Sequence, residues 1–306
     1  MRQRFIQSFS TSGDIQTAID GGQLGNPYVA YLLDEGMIDW NSKEATPIYS
    51  GIPLTFEIIS AGTIDFSSYN NYTTCTVEYK TNDSDWVEVT TSMEGTAINV
   101  SAGDKVQIKG KTFISNYNTP LLFQKSTTIF NAYGNIMSLV SGSGFENLTV
   151  LTGDYAFYNL FSGCTGLVNA ENLILPATTL TSHAYDKMFY SCSSLTTAPE
   201  LPATNLVGFC YQSMFDGCQS LEKAPDLLAS YVPNYGYYNM FENCRKLNYV
   251  KCMATGFGGI YSTRAWLKNV SSTGTFVKHP DATSWETGTF GANGIPQGWT
   301  VIDAVI

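Results

Sequence analysis

Two histidines, seven cysteines and a scatter of carboxylates are the side chains of this 306-residue chain with catalytic or metal-binding potential. Their spacing decides which chemistry is open to them. His183 precedes Cys192 by nine residues, so a cysteine–histidine nucleophile pair is conceivable. Cys192, however, recurs at one place in a repeated phrase, as Cys164, Cys192, Cys218 and Cys244, with spacings of 28, 26 and 26 residues. Stacked units would line these thiols up as a ladder of small buried residues, where they are inert rather than nucleophilic. The closely spaced cysteine pair that a metal site wants is absent from the sequence. His183 aligns with Phe209 and Tyr235 in the next two repeats, which assigns it an aromatic packing place rather than a general-base role. His279, in Lys278-His-Pro-Asp281, is expected in a solvated loop. Asp83 and Asp85 have the look of a calcium-binding fragment without its remaining ligands, and a hairpin turn explains them better. No phosphate-loop, zinc-protease, nucleophile-elbow or dinucleotide phrase occurs. The sequence therefore predicts no catalytic residue, metal or cofactor. A glycan-active enzyme with unpaired carboxylates is the residual alternative.

The phrase that holds the cysteines runs Phe157-Tyr-Asn-Leu-Phe-Ser-Gly-Cys164, Tyr185-Asp-Lys-Met-Phe-Tyr-Ser-Cys192, Tyr211-Gln-Ser-Met-Phe-Asp-Gly-Cys218 and Tyr237-Tyr-Asn-Met-Phe-Glu-Asn-Cys244. A fixed period in this range marks units that bury their apolar faces only against one another. Tyr211, Met214, Phe215 and Cys218 fall at i, i+3, i+4 and i+7, the spacing of one face of a short helix. Leu221-Glu-Lys-Ala-Pro-Asp-Leu227 reads as extended, with Pro225 and its counterpart Pro199 keeping the strands short. The expected fold is mixed α/β and multi-domain: a small antiparallel β-sandwich followed by a leucine-rich-repeat-type right-handed solenoid of short helices and short parallel strands.

Around the repeats the chain divides into further segments. Residues 1–49 read as an adaptor arm, with a helical patch over Ile15–Ile19 and a hairpin from Tyr28–Leu33 to Met37–Trp40. Residues 50–112 alternate with period two at Leu54–Ile59, Gly62–Phe66, Thr76–Tyr79, Trp86–Val89, Ala97–Val100 and Lys105–Lys109, which predicts an immunoglobulin-like sandwich. Residues 113–154, with the apolar stretch Ile129–Val140, stand where a solenoid needs its N-terminal cap. The repeats occupy 155–253, and 254–306 read as a C-terminal cap rich in aromatics.

Charged residues make up 14% and the net charge of −10 is spread along the blocks. A nucleic-acid backbone or an anionic lipid surface is a poor partner for such a chain. No apolar run is long enough for a membrane helix, so no membrane insertion is expected. The first ten residues lack the apolar core of a secretory signal.

The unit Met-Phe-x-x-Cys-x-Ser-Leu-x-x-Ala-Pro-x-Leu-Pro-Ala-Thr-x-Leu over Met188–Leu206 resembles the BspA-like leucine-rich repeat proteins of Bacteroides-type bacteria. Thr273-Gly-Thr-Phe-Val-Lys278 and Gly294-Ile-Pro-Gln-Gly-Trp-Thr300 are similar to the closing segment of such repeats. The resemblance covers roughly residues 125–300. It implies a curved solenoid on a surface-exposed protein, of a kind some of whose members act as adhesins towards host extracellular proteins or other bacteria; the partner expected here is a protein or glycan of a host or bacterial surface. Related repeats in phage or prophage proteins imply, alternatively, a structural spacer or receptor-binding component of a phage or cell-surface assembly. The expected location is the cell surface or a phage particle. Tyr231, Tyr235 and Tyr238 are the candidate contact residues, since tyrosine offers large contact area at low entropic cost. Tyr190, Asp216 and Glu242, which follow the repeated Phe, are left free by the packing phase and are the place for specificity. Tyr237 shares the phase of Tyr211 and belongs to the core.

Overall fold

The computed structural model describes residues 6–9, 29–32, 36–39, 49–68, 75–112, 121–283, 285 and 294–305. The chain forms two compact units, Met1–Ile52 and Pro53–Ile306. In the first, strand β1 (Ile6–Phe9) runs parallel to β2 (Val29–Leu32), which pairs antiparallel with β3 (Gly36–Asp39) in the expected hairpin. The helical patch expected over Ile15–Ile19 lies outside the described residues.

In the second unit every strand marked by period-two alternation is present: β4 (Leu54–Ile58), β5 (Gly62–Phe66), β6 (Thr76–Thr81), β7 (Val87–Thr90), β8 (Thr96–Val100) and β9 (Lys105–Thr112). Leu54, Phe56 and Ile58 of β4 bury on one face; of the two residues between them Glu57 faces solvent, while Thr55 is buried and its Oγ1 donates to Pro53 O at 2.7 Å. β10 (Phe130–Asn135) falls in the segment expected to cap the repeats, and it pairs antiparallel with β4. Its other edge pairs parallel with β11 (Leu167–Asn169) and β12 (Leu173–Ile174) of the first repeat. The sheet order is therefore β11-β10-β4-β9-β6-β7, with β12 also on β10, while β5 and β8 pair separately. Phe56 stands 4.9 Å from Phe123, 4.7 Å from Phe130 and 5.9 Å from Phe161. Sheet and repeats thus share one continuous apolar core.

The repeats do not contain the short helices expected of them, and the mixed α/β solenoid is corrected accordingly. Among the described residues there is no α-helix; two 3₁₀ turns, Ile136–Leu139 and Phe145–Asn147, are the only helical elements. Each unit is instead a run of tandem turns. Alternate N–H groups close turns within the unit, such as Cys164 N–H to Phe161 O at 2.9 Å. The others cross to the next unit: Phe157 to Ala184 O (2.8 Å), Asn159 to Asp186 O (3.1 Å), Phe161 to Met188 O (2.9 Å) and Gly163 to Tyr190 O (2.7 Å). A helix gives every N–H to its own fourth-preceding carbonyl; here half of them join neighbours. Every fourth residue adopts positive φ: Tyr155, Asn159 and Gly163, then His183, Lys187 and Ser191, Phe209, Ser213 and Gly217, and Tyr235, Asn239 and Asn243. That four-residue period mimics a helical face in sequence, because i, i+4 and i+8 share a side in both geometries.

The strand side of the stack is closed only in part, a second departure from the expected solenoid. Single bridges join Asn169 to Thr197 and Lys223 to Tyr249. Among the described residues none joins Thr197 to Lys223. Farther on, β13 (Tyr231–Val232) pairs with β15 (Gly256–Phe257), and β14 (Tyr249–Cys252), β16 (Gly274–Lys278) and β17 (Trp299–Asp303) form a parallel sheet.

A fifth unit lies inside the segment expected to be a cap. The N–H groups of Tyr237, Asn239, Phe241 and Asn243 donate to the carbonyls of Ser262, Arg264, Trp266 and Lys268 at 2.8–3.0 Å. Ala265 and Asn269 carry its positive φ.

Candidate functional site

Three columns of side chains run through the turns, and two are core. Phe123, Phe161, Phe189, Phe215 and Phe241 stack ring on ring at 5.3–5.7 Å. Phe157, Tyr185, Tyr211, Tyr237 and Trp266 form a parallel column at 5.6–6.2 Å. Beside them the four repeat cysteines are buried and unbridged. The thiols of Cys192, Cys218 and Cys244 donate to the carbonyls of Phe161, Phe189 and Phe215 in the preceding unit at 3.0, 3.1 and 3.0 Å. Burial pushes all four thiols well above the ordinary range, and Cys210 and Cys252 up to about 12. Thiolate chemistry is thereby suppressed. Among the described residues no group of three or more metal-ligating side chains converges.

The third column reaches solvent. Tyr155, His183, Phe209, Tyr235 and Tyr261 stack at 4.3, 4.6, 4.5 and 4.8 Å, nearly parallel and half-buried. Four of the five hold positive φ, a conformation costing of order 1 kcal/mol or more for a non-glycine residue; ring stacking offsets it. His183 Nδ1 lies 2.7 Å from Asp186 Oδ2. Burial raises the Asp186 carboxyl above its usual range, against the lowering pull of His183. Among the described residues Asp186 Oδ1 has no hydrogen-bond partner.

The sequence-derived contact residues fall at different places. Tyr235 has both ring faces covered, by Phe209 and Tyr261, so it presents only its edge and no sugar stacks on it. Tyr238 packs on Tyr235 and Tyr261 at 5.5 and 6.4 Å and is half-buried. Tyr231, 54% exposed, stands on β13, its ring against Gly256 and its hydroxyl against Gly258. No ring contact joins it to the other two. Tyr190 is exposed on the turn face. Glu242 is held by Lys268 at 2.6 Å.

Asp216 is buried and accepts from Asn243 Nδ2 at 2.9 Å. Burial first, and Glu242 second, push its carboxyl up to about 6 against that bond. A raised acid stabilises the fold below the unfolded value near 3.8 and loses that contribution as pH rises through about 6. Asp216→Asn keeps the acceptor and removes the titration. Urea denaturation of both proteins is therefore expected to show the variant gaining about 1–2 kcal/mol relative to wild type between pH 4 and pH 7.5. A pH-independent difference would show that Asp216 ionises normally.

Sequence reasoning missed Asp186, Tyr261, Arg264 and Lys268. Tyr261, Trp266 and Asn269 stand 26 residues after Tyr235, Met240 and Asn243, so extending the period by one unit would have found the last three. No family model matches the chain, and no curated protein or solved structure shows significant similarity to it.

Proposed function

We propose that the chain is a non-enzymatic recognition protein that binds a protein or glycan partner through the turn face of its repeats, at a cell surface or on a phage particle. The observation that carries this is the division of labour within each unit. The inward columns repeat Phe and Tyr or Trp, while the position after the Phe column changes from Ser162 to Tyr190, Asp216, Glu242 and Lys268, open to solvent at Tyr190 and Lys268 and buried at Asp216. A backbone ladder holds these differing side chains in fixed register, which is how repeat scaffolds present a binding surface. The resemblance of Met188–Leu206 to adhesin repeats supports the same reading. Burial of the thiols, with His183 stacked between two rings, argues against a nucleophilic centre.

The test is an array of glycans and matrix proteins probed with wild type and with Tyr190→Ala, Tyr231→Ala and Tyr238→Ala. Binding by wild type that weakens about tenfold or more in at least one variant is expected. Binding nowhere, or binding indifferent to all three changes, would overturn it. The alternative, a spacer within a larger assembly, draws on the separate unit Met1–Ile52 as an attachment module.

A further inference from the structure

Two lines of backbone contact join the five units. One runs through the turns at 155–164, 183–192, 209–218, 235–244 and 261–270, the other through the extended segments that follow them. The turn line is unbroken. Between units two and three it consists of the N–H groups of Tyr185, Lys187, Phe189 and Ser191 on the carbonyls of Cys210, Gln212, Met214 and Asp216 at 2.7–2.9 Å. Phe189 and Phe215 stack at 5.3 Å behind it.

The extended line breaks at that same boundary, and at two places. Asn169 bridges to Thr197 and Lys223 to Tyr249, but among the described residues no bridge joins Thr197 to Lys223. Farther along the unit, Thr179 bridges to Asn205 and Tyr231 pairs with Gly256, again with none from Asn205 to Tyr231. No hydrogen bond or ion pair among the described residues joins 193–207 to 219–233. The polar groups on either side are spent on the far neighbour instead. Thr196 gives its N–H and its hydroxyl to Val168 O at 2.8 and 2.9 Å, and Thr197 O accepts the Ala170 N–H at 3.0 Å, all towards unit one. In unit three, Ala224 and Leu227 donate to Tyr249 O and Lys251 O at 3.0 and 2.9 Å, towards unit four. Asp226 takes the Lys251 ammonium at 2.6 Å, and the Lys223 ammonium lies 5.4 Å from the centre of the Tyr249 ring. What faces the boundary is apolar: Leu195 and Leu201 on one side, Leu221 and Leu227 on the other, all buried. Apolar contact is non-directional, so movement there costs area but breaks no oriented bond.

We propose that the stack hinges between units two and three, the turn line bending while the extended segments part. The stability of a repeat array is close to a sum over neighbouring interfaces, so an interface with one line of bonds opens before those with two. The hinge sets the spacing between Tyr190 of unit two and Tyr231, Glu242 and Lys268 beyond it. It goes beyond the recognition reading and does not depend on it.

Hydrogen exchange of the wild-type full chain, read residue by residue by NMR, tests it. Lys187, Phe189 and Ser191 donate from unit two to unit three; Asn159, Phe161 and Gly163 donate from unit one, and Ser213, Phe215 and Gly217 from unit three. Corrected for intrinsic rates, the first set is expected to exchange about tenfold or more faster than either of the others. Thr197→Cys with Lys223→Cys then locks the boundary, because these residues hold the repeat position at which the adjacent units bridge, a separation a disulfide spans. The seven native thiols are buried and stay out of the reaction. Oxidation of the double variant should slow exchange at Lys187, Phe189 and Ser191 to the level of the flanking interfaces, and reduction should restore it. Equal exchange at the three interfaces of wild type overturns the proposal, and that comparison stands whether or not the double variant folds. So does a cross-link that forms and leaves the first set fast. Failure of a folded double variant to form the cross-link would show that the segments never meet, which makes the break a fixed gap rather than a hinge.

Discussion

Phe215→Ala is expected to destabilise Pro53–Ile306 by about 3–5 kcal/mol, the range for deleting a fully buried phenylalanine from a core that cannot collapse around the void. The ring sits 5.3 Å from Phe189 and 5.4 Å from Phe241, within 2° and 1° of parallel, so two contacts are lost at once. The site has little freedom to close. Phe215 N–H donates to Met240 O and its carbonyl accepts the Cys218 N–H and the Cys244 thiol, fixing the backbone above and below. Guanidinium denaturation followed by tryptophan fluorescence reads the effect, since Trp266 is two units away in the same stack. Phe215→Leu should cost markedly less. A loss under about 1 kcal/mol in the alanine variant would show that neighbouring units relax independently and that the column is not a mechanical continuum.

The same column explains what was legible in the sequence. Tyr, Met-Phe, Cys and Leu recur because each must meet its own counterpart one unit away, and packing of like on like leaves an alphabetic trace. The strands β4 to β9 were legible for the ordinary reason that one face of a sheet is buried. The turns were not. The spacing of Tyr211, Met214, Phe215 and Cys218 satisfies a 3.6-residue and a four-residue period equally over so short a run. Only the residues between decide: Gly163, Gly217, Asn159, Asn239 and Asn243 all tolerate positive φ, and no helix asks for such residues every fourth place. The fifth unit hid because Trp266 stands at the Met position and sends its ring into the Tyr column. At the candidate site, position in the repeat foretold exposure for Tyr190 but not for Asp216. Which neighbour reaches over a side chain, here Asn243, depends on three-dimensional register rather than on phase. Tyr235 shows the same limit: its repeat position was clear, yet only the stack reveals that both ring faces are taken.

Gly166→Ala tests where the sheet becomes the stack. A Cβ built on Gly166 would lie 2.0 Å from the carbonyl oxygen of Thr128 and 3.1 Å from its carbon. Both atoms are backbone, so no side chain can swing away. The backbone there is pinned from two sides. Thr127 N–H donates to Thr63 O at 3.0 Å, and Thr128 Oγ1 donates to Ser60 O, tying the segment to the sheet. Phe130 N–H donates to Gly166 O at 3.0 Å, where β10 meets β11. Alanine must therefore push the first repeat away from β10 and loosen the contacts of Phe161 with Phe56 and Phe123. The expected cost is about 2–3 kcal/mol, in the range of overpacking against rigid surroundings. Gly51→Ala, with no atom of the described residues within 4 Å of the added carbon, should change stability by less than about 0.5 kcal/mol. Hydrogen exchange locates the damage: the amides of Phe130 and Leu167 should lose protection before those of Phe215 and Phe241. Uniform loss across all of them would mean that the junction and the distal units open as one cooperative body, whereas wild-type protection at Phe130 would show that the repeat can shift without breaking the β10–β11 pairing.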